Sequence, residues 1–220
     1  MAVDSVRRLV DRGVSQPLPT QHISKFERLN SRELDAVDLL SDESPYFDSY
    51  EFDGQTRTYS EFEFTTEPLF GSPKSAIGVL EYREESNFIF LVLDQDTPKP
   101  DTIFDELREN AGDQFPVQGD FSPTYENICD FIRAADHVVK VNTPTTKDDP
   151  VTRISEGANL PIELARLRFD YEENSKIITY SDGQLTIPLP ERENSLLQSL
   201  SEQASLREYV IQTFEMAFHE

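Results

Sequence analysis

Val3, Val6, Leu9 and Val10 recur at three- and four-residue spacing between Asp4 and Gly13. Aspartate caps helix starts and glycine ends helices, so this spacing predicts a short first helix. Ser31 ahead of Leu34, Val37 and Leu40 predicts a second helix over about 32–41, stopped at Pro45. The pattern then changes period. Tyr46–Phe52, Asp53-Gly54 and Gln55–Thr65 read as a hairpin, because Asp-Gly accepts the positive φ of a tight turn. Its apolar phase slips: Tyr59 is odd, whereas Phe62 and Phe64 are even. A bulge near Ser60, or a strand covered on both faces, accounts for that. Ala76–Tyr82 and Phe88–Leu93 form a second hairpin across 83–87, and the unbroken run Phe88–Leu93 predicts a strand buried on both faces.

Asp101–Asn110 reads as a helix ended by Gly112. Ser122-Pro123 opens another, with Tyr125, Ile128, Cys129 and Ile132 as its buried stripe. Val138–Val141 is a short strand. Leu167, Phe169 and Tyr171 alternate with polar residues, and together with Lys176–Tyr180 and Leu185–Leu189 they predict a three-stranded meander whose second turn is Asp182-Gly183. In the last helix Leu206, Tyr209, Val210, Thr213, Phe214, Ala217 and Phe218 hold helical spacing over three turns, and Ile211 and Met216 lie off that stripe. The expected fold is α+β, with two antiparallel β-sheet regions and helices packed on their faces. It divides near 115–120 into a 1–118 module and a 119–220 module, or forms one fused domain.

Charge changes this picture more than length does. The chain of 220 residues has 42 acidic and 20 basic side chains, a formal charge of −22. Residues 1–118 hold net −13 and residues 119–220 net −9, so the acid belongs to the whole surface rather than to a tail. Three readings compete. The composition resembles that of proteins from salt-adapted archaea: in molar salt the Debye length is about 3 Å and like charges barely repel. Alternatively the carboxylates mimic the charge density of DNA and occupy a basic nucleic-acid-binding partner. The third is ordinary solubility. All three oppose direct binding to nucleic acid or to a membrane surface, a local basic patch excepted. A single cysteine, Cys129, permits no internal disulfide, and no apolar run reaches the ~18 residues of a membrane span. A cytoplasmic location is expected.

Candidate chemistry is sparse. His22, His137 and His219 lie far apart, outside any metal-binding spacing, and His137 is expected near a helix C-terminus. No glycine-rich phosphate loop is present. Carboxylates are the surplus group, and Glu81, Asp94 and Asp96 form the best cluster. The order helix 32–41, three strands, strand and helix resembles the core of restriction-type nucleases. That resemblance implies Mg²⁺ held by Glu61 or Glu63 with Glu81. Arg83 stands where those enzymes use lysine, and arginine is a poor proton shuttle. Antiparallel pairing also puts Glu81 and Asp94 at opposite ends of their strands.

The sequence therefore favours a non-catalytic acidic accessory protein that acts on another protein, without cofactor or metal. Ile211, Phe214, Met216 and Phe218 of the terminal helix are its candidate contact residues, because that helix is apolar around more of its circumference than a one-sided helix requires. A divergent Mg²⁺-dependent nuclease and a DNA mimic are the alternatives.

Overall fold

The structure, a computed structural model, describes residues 3–8, 26–35, 49–52, 55–66, 72–95, 98–111, 117, 121, 123–143, 161–181, 184–189, 196, 200 and 204–219. The strands are β1 (Val3–Arg8), β2 (Phe26–Asp35), β3 (Thr56–Thr66), β4 (Lys74–Arg83), β5 (Phe88–Leu93), β6 (His137–Asn142), β7 (Leu164–Tyr171), β8 (Asn174–Ser181) and β9 (Gln184–Thr186). The helices are α1 (Pro100–Ala111), α2 (Tyr125–Ala134) and α3 (Ala204–Phe218). The fold is α+β. Two antiparallel meanders, β2-β3-β4-β5 and β9-β8-β7-β6, form the two expected sheet regions, and β1 lies between them. It pairs antiparallel with β5 (Val6 opposite Phe90) and with β9 (Asp4 opposite Leu185), which makes one nine-stranded sheet.

Alternation assigns each strand residue to a face. On one face Phe62, Phe64, Leu80, Tyr82, Ile89, Leu91 and Leu93 bury against Ile103, Phe104 and Leu107 of α1. On the other, α2 and α3 lie over Val6, Phe88, Phe90, Leu167, Phe169, Ile178, Tyr180 and Leu185. Phe214 is the hub there, with ring centroids 5.5 Å from Phe131, 5.6 Å from Phe88 and 6.0 Å from Phe90. Edge-to-face packing of this kind adds about 0.5–1.5 kcal/mol per pair beyond area burial. Asn127 donates from Nδ2 to the Ala217 carbonyl at 2.9 Å and ties α2 to α3.

Three expectations are corrected. The first predicted helix is strand β1 over Val3–Arg8. The second begins in strand β2, which runs to Asp35; the remainder of that prediction lies outside the described residues. The hairpin of 46–52 with 55–65 does not form: residues 49–52 are turn and coil, and β3 pairs with β2 and β4. Its slipped phase comes from double coverage. Tyr59 faces the α3 side while Phe62 and Phe64 face α1, and the β3–β4 register is unbroken through Ser60. The second hairpin, the doubly buried β5, α1, β6 and the first two strands of the later meander are present as read; its third strand, expected over Leu185–Leu189, is the shorter β9, and 187–189 lie outside any strand. α2 starts two residues later than Ser122-Pro123 suggests. Thr124 is the N-cap, and Thr124 with Asn127 forms a capping box. Turn Asp182-Gly183 lies outside the described residues.

Candidate functional site: a buried ion network and an open cationic face

The α3-facing side of β3 and β4 is not apolar. Arg57, Tyr59 and Glu61 of β3 and Glu81 and Arg83 of β4 occupy it, and all five are buried. α3 answers with Arg207, Glu208, Gln212 and Glu215, buried too. Arg83 is the centre. Its Nη1 and Nη2 donate to the two oxygens of Glu208 at 2.9 and 2.7 Å, its Nε to Glu215 at 2.7 Å, and its Nη1 also to Glu81 at 3.0 Å. Arg57 adds a 2.6 Å bond to Glu208, and Arg207 pairs with the second oxygen of Glu81. Glu215 further accepts from Tyr50 at 2.5 Å, from Gln55 at 3.0 Å and from Ser86. Three arginines thus meet three glutamates away from water. Each ion's desolvation costs several kcal/mol, and mutual attraction with the hydrogen bonds among these groups offsets it.

The carboxylates respond differently. Burial alone would raise Glu208, but Arg83 and Arg57 outweigh it and hold the group at about 2. Glu81 is also burdened by burial and also lowered, by Arg207 and Arg83. Glu215 goes up: burial dominates, and the adjacent Glu208 adds to it. Burial likewise raises the Tyr50 and Tyr59 phenols, so both stay protonated.

The expected nuclease residues fall as follows. Glu61 and Glu81 are buried on the α3-facing side, and both Glu81 oxygens are bound by arginines. Glu63 is half-buried further along β3. Asp94 accepts from the Ile77 amide at 2.9 Å, beyond the far end of the β4–β5 pairing from Glu81. Asp96 lies outside the described residues. The structure therefore does not bring Glu81 and Asp94 together. Among the described residues no group of three or more His, Cys, Asp or Glu side chains could hold a metal ion. Cys129 is buried in the core. His219 packs edge-on to Phe52 at 4.7 Å, and His22 is outside the described residues. His137 opens β6 rather than ending a helix.

Of the terminal-helix candidates, Ile211, Phe214 and Phe218 are buried inside this chain's own core, and Met216 is half-buried with Ser49 donating to its sulfur at 3.9 Å. The extra apolar breadth of α3 is taken up by α2, β5 and β7.

A further exposed face of the described residues lies elsewhere. α1 covers the β3–β5 half of its sheet face, and no described helix lies over the β6–β8 half of the same face. His137 stands opposite Arg168, which stands opposite Ile177; Lys140 stands opposite Arg166, which stands opposite Thr179. His137, Lys140, Arg166 and Ile177 are exposed, and Arg168 partly so. Val139, at the bulge in β6, is 47 % exposed. Acid appears on this face at the β7–β8 end, where Asp170 lies 3.2 Å from Arg168 and 3.9 Å from His137. A hydrogen bond from Ser175, then the charges of Arg168 and His137, hold the Asp170 carboxyl low. Lys140 and Arg166 have no ion-pair partner among the described residues. No helix among the described residues is long and apolar enough to cross a membrane. No protein-family model matches this sequence, and no curated protein is significantly similar to it.

Proposed function

We propose that this chain is a non-catalytic accessory protein that works by binding another protein through the uncovered half of its sheet. One observation carries the reading: a chain of net charge −22 keeps four basic side chains, His137, Lys140, Arg166 and Arg168, on one open face, with exposed Ile177 among them. Exposed apolar and cationic groups on a rigid sheet suit a protein contact. The described part of that face presents no Phe, Tyr or Trp ring on which a base could stack, which favours protein over single-stranded nucleic acid. The buried carboxylates Glu81 and Glu208 supply architecture instead of chemistry, because arginines bind both oxygens of each. Two further parts of the proposal, a cytoplasmic setting and adaptation to salt, rest on the single cysteine and on the acidity.

A photo-crosslinking residue at Thr179, in an extract of the source cells, tests this. A discrete protein adduct from position 179, and none from position 173 on the exposed β7–β8 turn, is the expected result. No adduct, or one removed by nuclease, overturns it.

A further inference from the structure

We infer that the occupant of the open cationic face is the α1 helix of a second copy of this chain, in a two-fold dimer that places each copy's α1 on the other's β6–β8 face. This rests on the reading just given and names the partner.

The argument starts from the face on which α1 lies. One helix covers β3–β5, and the β6–β9 half beyond β1 has no helix among the described residues on that side. Among the described residues the face is therefore a step: a raised half and a recessed half. Two such faces related by a two-fold axis interlock, raised half into recess, and an isologous contact closes without leaving a free end.

The dimensions agree. α1 has 12 residues and is about 18 Å long and about 10 Å across. β7 and β8 have 8 residues each, about 26 Å, and four strands span about 14 Å.

The charges agree as well. α1 buries Ile103, Phe104 and Leu107 and turns Asp105, Arg108 and Glu109 outward, with Asp101 exposed at its start and Glu106 half-exposed. That outward surface carries four acids against one base, and Arg108 is already paired with Asp105 at 2.7 Å. The recess carries Lys140, Arg166, Arg168 and His137 against Asp170. Each copy therefore offers both members of a complementary pair on one face, which no arrangement of two acidic surfaces could provide.

Sedimentation equilibrium of the full chain, across a range of KCl, tests the dimer. The expected mass is about twice 25.2 kDa. Lys140→Glu with Arg166→Glu should raise the dimer dissociation constant at least about tenfold, and Asp105→Arg with Glu109→Arg should do the same. All four together in one chain should restore the dimer, because the pairing is re-formed with its signs exchanged; that rescue separates loss of contact from loss of folding. A wild-type chain that stays monomeric at every salt concentration overturns the inference, as does a four-fold variant that remains monomeric. A monomer that still gives a Thr179 adduct with a different protein overturns the dimer and leaves the binding role standing.

Discussion

Arg83 makes five hydrogen bonds with no access to water, and its strand neighbours could not replace them. Arg83→Leu removes the arginine that Glu208 and Glu215 share, leaving Arg57 on Glu208 and Arg207 on Glu81, and should cost about 3–5 kcal/mol in urea unfolding. A loss under about 1 kcal/mol would show that water enters the network. Glu208 gives the complementary test. Its folded pKa, about 2, lies below its ordinary value of 4.5. Its stabilisation is therefore complete above the ordinary carboxylate range and is lost as pH falls toward 2. Glu81 has the same sign. Glu215 has the opposite sign, contributing below its ordinary range and less as pH rises through its raised value. Wild type should thus exceed Glu208→Gln in stability at pH 5, and the gap should close toward pH 2; a constant gap would mean that Glu208 folds uncharged. This network was hidden in the sequence by the abundance of acid. A signal existed: Glu208, Gln212 and Glu215 follow i, i+4, i+7 on a helix whose other positions are mostly apolar, and Arg57, Tyr59 and Glu61 alternate opposite Phe62 and Phe64. A polar stripe on an element buried all round has to meet another polar stripe.

Elements were legible where one covered face set the period. α1, the stripe of α2, the β4–β5 hairpin and the meander of β7 and β8 follow from spacing alone. β1 and β2 were not legible, for two reasons. β1 is a strand because β5 and β9 supply partners on both sides, and that pairing outweighs the local preference that Val3, Val6 and Leu9 express. β2 is an edge strand, and its sequence Phe26–Asp35 carries five charges. Charges and bulges keep exposed edges from pairing with other molecules, but a charged run also reads as the polar side of a helix. Both sheet edges carry such an irregularity, at Arg28–Asn30 in β2 and at Val138–Lys140 in β6. Between the edges packing is close. A Cβ on Gly78 would lie 2.5 Å from the ring of Phe62, its cross-strand partner, and 3.0 Å from Leu93. Gly78→Ala should destabilise by about 1–3 kcal/mol, and Phe62→Leu in the same chain should recover part of it, read from urea midpoints. An unchanged midpoint for Gly78→Ala would show that the Phe62 ring moves aside without cost.

For the molecule as a whole the outstanding quantity is its charge. Most of the described acids outside the network are exposed, so the unfolding midpoint should climb with KCl from dilute buffer into the molar range as self-repulsion is screened. The internal arginine–glutamate contacts are shielded from salt by burial, and Arg83→Leu should lower the curve without changing its slope. A midpoint flat above the first few tenths molar would remove solvent adaptation as the source of the acidity. The open face could not be foreseen at this scale. Arg166 and Arg168 are visible in the sequence, but their gathering with Lys140 and His137 depends on β6 folding back along β7.

The central strand is made early and completed late. β1 lies within the first eight residues, yet its partner β9 begins at Gln184, and α3, which closes the core around Val6, begins at Ala204. During synthesis β1 has no second neighbour until Gln184–Thr186 has been made. The first meander and β1 can pair among themselves, with the other flank of β1 exposed to whatever strand arrives. Such long-range closure slows folding and prolongs exposure of an unpaired edge. A chaperone that shields that flank would therefore act on this protein before Gln184–Thr186 has been translated.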